Sequence, residues 1–245
     1  MKLMKAIIGD ICGSLYEFNR EKVDSYPTEI MLEECHFTDD TVCTVAFADA
    51  ILHNPENPDF DTFLKRWVLR YPRAGYGKKF IEWVMEDKGG DSFGNGCCMR
   101  LYPISVYYND YYCRKAMIAK SCSGSHNHVE SYLFSNILDD HIHGIITGLC
   151  LYSPLEEYRE TYKFDCTCHG SVIEAITIGM KASSYENCIK DAIYLGGDVD
   201  TIACMAGMVT VYEPSEELEK WAWNKLPKDM QNIIAKFEDE IIKLN

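Results

Sequence analysis

Two short runs in this 245-residue chain place paired acids and a threonine directly before an apolar segment. Phe37-Thr38-Asp39-Asp40-Thr41 leads into Val42-Cys43-Thr44-Val45-Ala46-Phe47-Ala48, and Gly196-Gly197-Asp198-Val199-Asp200-Thr201 leads into Ile202-Ala203-Cys204-Met205-Ala206-Gly207-Met208-Val209. A segment apolar nearly all round is normally a buried helix. Each acid pair can serve as an ordinary helix cap, since Thr and Asp accept from first-turn amides and acids suit the positive end of the dipole. If the two ends meet, however, four carboxylates share a small volume. Their repulsion then raises several pKa values unless cations neutralise them. Two divalent ions would do so. The donors on offer are four carboxylates and two hydroxyls, all hard oxygens, which selects Mg²⁺ or Mn²⁺ over zinc. On spacing alone the capping and metal explanations stand level. A third acidic stretch, Gly9-Asp10-Ile11-Cys12-Gly13-Ser14-Leu15-Tyr16-Glu17, interrupts an apolar N-terminal helix with two glycines. Each costs ~1 kcal/mol relative to alanine, a loss usually offset by close packing or ligand approach. Glu17 is then either a solvated helix end or a carboxylate aimed at a site.

The elements that must carry these groups are helices. Helical periodicity runs over about 40–53, 59–70, 97–108, 128–151, 170–182, 185–195, 201–212 and 228–243, with no convincing two-residue alternation between them. The fold class expected is all-α: a compact bundle of many helices, with residues 1–245 as a single domain. Asn57-Pro58-Asp59 and Glu213-Pro214-Ser215 mark helix starts, while Pro72, Pro103 and Pro154 mark breaks. The tail from Pro214 reads as two amphipathic helices, with Trp221 and Trp223 packing between them. Residues 19–36 form the longest aperiodic stretch, the length of a binding loop or lid.

Composition limits the partners. An apolar content of 47% supports a real core, and a formal charge of −14 leaves no basic surface for nucleic acid. The longest basic cluster is Gly77-Lys78-Lys79. No apolar run approaches the ~20 residues of a membrane span, so no membrane partner is expected. The twelve cysteines, without an evident signal segment, fit reduced thiols in the cytoplasm, buried as small hydrophobes at Cys43, Cys150 and Cys204. Cys166-Thr167-Cys168-His169 lacks a second ligand pair at a usual spacing, so no zinc site is expected there. His141 and His143, two apart in a helix, face different ways. Arg100 is taken as a solvated helix residue, and Tyr107 to Tyr112 as a junction between helices.

Taken together, these segments resemble the ADP-ribosylglycohydrolase family, which pairs an N-terminal Gly-Asp-x-x-Gly-Ser-x-Tyr-Glu with Thr-Asp-Asp-Thr and a late Gly-Gly-Asp-x-Asp-Thr. Ser92-Phe93-Gly94-Asn95-Gly96-Cys97-Cys98-Met99-Arg100 is similar to the family's Gly-Asn-Gly-x-x-Met-Arg loop. Ser125-His126-Asn127-His128 is similar to its Thr-His-x-His segment, and Cys168 to Ala175 to the stretch before the last acidic run. The likeness extends from about residue 3 to about residue 212. Val129 departs from a common proline, and Ser131-Tyr132-Leu133-Phe134 from Gly-Ile-Lys-Gly.

The resemblance implies a many-helix bundle around two Mg²⁺ ions (Mn²⁺ as substitute). It assigns Thr38, Asp39, Asp40, Asp198, Asp200 and Thr201 as metal ligands, Glu17 and Asp39 as catalytic, and Gly94, Asn95, Gly96 and His126 as lining an ADP-ribose cleft. The implied activity is hydrolysis of the glycosidic bond between ADP-ribose and a modified arginine or serine, or a small conjugate. The alternative is a catalytically silent ADP-ribose-binding or crystallin-like member.

Overall fold

The computed structural model describes residues 1–17, 22–146, 148 and 153–244. Fourteen helices and no strand are found among the described residues: α1 (Met4–Gly13), α2 (Asp39–His53), α3 (Phe60–Arg70), α4 (Lys78–Glu86), α5 (Gly96–Met99), α6 (Tyr102–Tyr107), α7 (Tyr111–Cys122), α8 (Val129–Ile142), α9 (Leu155–Thr161), α10 (Cys168–Lys181), α11 (Tyr185–Leu195), α12 (Val199–Val209), α13 (Glu216–Lys225) and α14 (Lys228–Leu244).

The glycines of the N-terminal segment recur at the four-residue spacing of one helix face, and that face is a seam. α1 and α12 are buried along their whole lengths. A Cβ on Gly9 would stand 2.3 Å from the carbonyl oxygen of Ala203, one on Gly13 2.4 Å from the Asp200 Cα, and one on Gly207 2.3 Å from the carbonyl oxygen of Lys5. As the α1 number rises the α12 number falls, so the helices run antiparallel with their backbones touching. Lys5, buried in this seam, is satisfied by donating its Nζ to Thr210 O at 2.6 Å. α10 joins the same layer through Gly179, where an added Cβ would meet Ala206 O at 2.8 Å. The end of α1 therefore lies beside the start of α12.

α2, the other helix led by acids, is buried over most of its length and packs on α3 through the Phe47 and Phe60 rings, 4.5 Å apart. One apolar cluster runs from Leu3 to Ile241 and takes in all the longer helices.

The all-α expectation holds, with corrections to individual elements. The expected helix over 97–108 is two, because Pro103 has no amide hydrogen and sits in the first turn of α6, where a helix starts anew. α8 ends at Ile142, ahead of Gly144 at φ +72°, and residues 147 and 149–151 of the expected 128–151 helix lie outside the described residues, Cys150 among them. In the expected loop, residues 19–21 are also outside them, and 22–36 contain no helix. Helices α4, α7 and α9 were not anticipated; α7 buries Arg114 and Ser121 on its inner face, which blurs its apolar stripe. Asp59 and Ser215 do cap α3 and α13, accepting from Thr62 N and Leu218 N.

The seam gives a prediction of unusual sign. At an exposed helix position Gly→Ala stabilises by ~1 kcal/mol. Gly9→Ala is expected to destabilise instead, by about 1–3 kcal/mol, because the methyl meets backbone that cannot swing aside. Urea unfolding checks this, and an unchanged or raised midpoint would contradict the close approach.

Candidate active site

The acid-led ends of α2 and α12 meet at the point where the chain leaves α1. Gly196 and Gly197, at φ +79° and +87°, turn the backbone from α11 into α12, a conformation that strains other residues. Asp198, Asp200 and Thr201 are thereby delivered, buried, next to Glu17, and the carboxylate oxygens of Glu17, Asp198 and Asp200 lie within 4.8 Å of one another. Thr201 Oγ1 donates to Asp40 Oδ1 at 3.4 Å, joining the two helix starts. Asp39 Oδ1 and Glu17 Oε2 both face Gly75, 3.4 and 3.9 Å from where its Cβ would be.

What holds α2 in this position is Asp10, which the sequence analysis passed over. Its carboxylate is fully buried and accepts from Thr38 N (3.0 Å), Thr38 Oγ1 (2.5 Å), Thr41 N (3.1 Å) and Thr41 Oγ1. Because the Thr38 hydroxyl proton points at Asp10, its oxygen lone pairs remain for Asp40 N, 3.4 Å away, and for a ligand.

Burial raises Asp10 as well as the site acids, but these have fewer donors to offset it. Asp40 Oδ2 is buried with no hydrogen-bond partner. Burial, then the charge of Asp198, raises the Glu17 carboxyl to about 7. Burial lifts Asp198 to about 6, against the pull of its Asn95 hydrogen bond. Asp39, Asp40 and Asp200 are pushed well above the ordinary carboxylate range by burial and by neighbouring acids. Such a group of unneutralised oxygens fits a hard divalent cation.

Above the acids opens a cavity of ≈ 540 Å³, within the range of small-molecule sites. Glu17, Asp39, Asp40, Asp198 and Thr201 line it together with Gly94, Asn95, Gly96 and His126, while Thr38 and Asp200 are buried and absent from its lining. The Gly94 to Gly96 wall is pinned by Asn95 N donating to Cys166 O (2.9 Å) and Cys168 N to Phe93 O (3.1 Å). Asn95 Nδ2 donates to Asp198 Oδ2 at 2.6 Å and to Ser171 Oγ at 3.0 Å. His126 Nδ1 faces the Ser125 hydroxyl at 2.8 Å and Arg100 Nη2, which can only donate, at 3.4 Å, an arrangement that favours the ring proton on Nε2, turned toward Gly96. Burial and then Arg100 depress His126 to about 4, leaving it neutral.

Two further corrections follow. Arg100 is not solvated: it is fully buried, with its guanidinium 5.2 and 5.5 Å from the Phe47 and Phe80 ring centres. The segment from Gly75 to Phe80 also lines the cavity, bringing Lys78 and Lys79 to its rim. The one available signal for it was that this is the longest basic cluster of an acidic chain.

The family model for ADP-ribosylglycohydrolase matches residues 3–164, more than half of the chain, and the chain belongs to that family. Among solved structures it is similar to a chain of an "ADP-ribosylglycohydrolase-related protein complex", 17% identical, with a TM-score of 0.70 over 98% of this chain and 96% of that one, a likeness of fold. No curated protein matches the chain by sequence. Among the described residues no helix is long and apolar enough to cross a membrane. The family match stops short of Asp198 to Thr201, which the fold nevertheless sets beside Glu17 and Asp40.

The raised carboxyls set a pH dependence. Between the ordinary carboxylate range and about 7, the folded chain binds more protons than the unfolded one, so stability falls as pH rises through that window. In EDTA the melting temperature is expected to drop from pH 5 to pH 8, and saturating Mg²⁺ to flatten the profile. A melting temperature independent of pH in EDTA would contradict the shared burial of these acids.

Proposed function

We propose that the chain is a magnesium-dependent hydrolase that cleaves the glycosidic bond joining ADP-ribose to an arginine or serine side chain or to a small conjugate. The observation that carries this reading is the convergence of Glu17, Asp198 and Asp200 within 4.8 Å under a cavity large enough for a nucleotide sugar. Family membership supports the glycohydrolase class.

Thr38, Asp39, Asp40, Asp198, Asp200 and Thr201 are the residues that would hold two Mg²⁺ ions, with Mn²⁺ as a substitute. When bound, such ions supply orientation of the ribose oxygens and a lowered pKa for a bound water. Loss of the anomeric bond builds oxocarbenium-like charge on the ribose and needs a group that moves a proton. Glu17, half-buried at the cavity floor and raised to about 7, is that group. Asp39 faces the same point above Gly75, and its carboxylate, ionised once bound cations offset its burial, would stabilise the developing positive charge. Asn95 holds Asp198 through its amide, and neutral His126 offers Nε2–H as a donor beside Gly96. The backbone of Gly94 to Gly96 can approach phosphate or ribose oxygens closely, and Lys78 and Lys79 at the rim attract an anionic ligand into an otherwise acidic protein.

The test is release of free ADP-ribose from arginine- and serine-modified proteins in Mg²⁺ and in EDTA. Release abolished by EDTA is expected, and the bond lost names the substrate. Glu17→Gln is expected to retain ADP-ribose binding while slowing hydrolysis by roughly 10²-fold or more, the range of a lost proton-transfer group. A wild-type rate in that variant would remove Glu17 from the chemistry. Mg²⁺-dependent ADP-ribose binding with no release from either substrate would favour the silent member instead.

A further inference from the structure

Behind the Gly94-Asn95-Gly96 turn, three buried thiols meet, with a fourth buried cysteine nearby. Cys97 and Cys98 belong to α5, Cys168 opens α10, and Cys122 closes α7. Each is at most 1% exposed. The Sγ atoms of Cys97 and Cys168 are 3.6 Å apart, those of Cys97 and Cys98 3.7 Å, and those of Cys98 and Cys168 3.9 Å. Cys122 lies further off, its Sγ 3.8 Å from the Ser135 hydroxyl that also stands 3.5 Å from Cys98.

Three observations distinguish this group from cysteines that only fill core. Consecutive helix residues point to different faces, yet Cys97 and Cys98 turn both sulfurs toward a point shared with Cys168. The spacing is also that of a metal site: an ion held tetrahedrally by thiolates at ~2.3 Å keeps its sulfurs about 3.8 Å apart. Finally, a buried cation stands nearby: the Arg100 guanidinium, whose Nε and Nη1 have no hydrogen-bond partners, pulls the Cys122 thiol down against the larger upward push of Cys97 and of burial. The Ser135 hydroxyl, 3.5 Å from Cys98 and 3.8 Å from Cys122, adds a donor for sulfur. The sequence offered no second ligand pair near Cys168; the fold supplies it from residues some seventy positions earlier.

We infer that Cys97, Cys98 and Cys168 form a binding site for a thiophilic d¹⁰ dication, Zn²⁺ in the first instance, separate from the oxygen-only acid cluster. Binding exchanges three S–H bonds for three metal–sulfur bonds, and a water completes the four-coordinate shell. Three protons pass to solvent and no electron moves. In the metal-free chain Cys97 and Cys168 donate to Gly94 O at 3.6 and 3.1 Å, so binding withdraws two donors from the carbonyl that opens the cleft turn. The site would tie α5 and α10 together immediately behind that wall.

The experiment is to prepare the full chain with Zn²⁺ under reductant, dialyse it against excess Mg²⁺, and measure retained zinc. Co²⁺ substituted for zinc is then read for a thiolate-to-cobalt charge-transfer band. One zinc per chain and a strong band are expected. Cys168→Ser is expected to lower zinc affinity by roughly a hundredfold or more, beyond the loss of an outer partner, whereas Cys166→Ser, at an exposed neighbour, leaves it unchanged. Cys98→Ser is read the same way and covers the case in which Cys168→Ser does not fold. Absence of retained zinc, or cobalt bound without a thiolate band, overturns the assignment.

Discussion

The contact on which the rest of the structure depends is the backbone seam between α1 and α12. Gly9, Gly13 and Gly207 leave no room for even a methyl group, so the two helices approach more closely than side chains would permit. Antiparallel packing at that distance fixes their ends as well as their faces. The exit of α1, carrying Glu17, can only emerge beside the entry of α12, carrying Asp198 and Asp200. A larger residue anywhere along the seam would separate the helices and with them the acids. The glycines that weaken α1 as an isolated helix are therefore what allow its carboxylate to reach the site.

The second constraint is electrostatic, and Asp10 shows how the fold meets it. Its buried carboxylate has four donors from Thr38 and Thr41, so the charge is solvated by the protein itself. Asp40, Asp39 and Asp200 have no comparable set, and one oxygen of Asp40 has no partner. Asp10 is thus satisfied by the scaffold, whereas Asp39, Asp40 and Asp200 keep oxygens free to accept from a ligand. The N-termini of α2 and α12 both point at the cluster, and their dipoles offset part of its repulsion.

These different origins explain what could be read in the sequence. The acid-led apolar runs at Thr38 and Asp198 were legible because a buried helix with charged capping is rare text, and the helices themselves followed from period. Asp10 was not legible as an anchor, because its four donors come from residues about thirty positions later. Arg100 was misread because a polar residue in an amphipathic pattern is ordinarily outside, and nothing local revealed Phe47 and Phe80 flanking its guanidinium. Helix α7 hid for the same reason: Arg114 is buried against Asp139, 2.9 Å away, a pairing between two helices. Information about single elements lay along the chain, whereas information about charge compensation lay across it.

The segment from Gly94 to Arg100 is where these threads join. Asn95 grips Asp198 and Ser171, Cys97 and Cys98 face Cys168, and Met99 O accepts from Thr44 Oγ1 and Cys204 Sγ, both at 3.4 Å. Thr44 and Cys204 lie one turn beyond the acids of α2 and α12. Seven residues thus touch both acid-bearing helices, the cavity wall and the thiol cluster. A displacement of this segment cannot be confined to one of them, since each end is fixed by hydrogen bonds to a different helix. The cavity wall is consequently as rigid as the core beneath it, the condition under which a small number of polar groups can hold a ligand in one orientation.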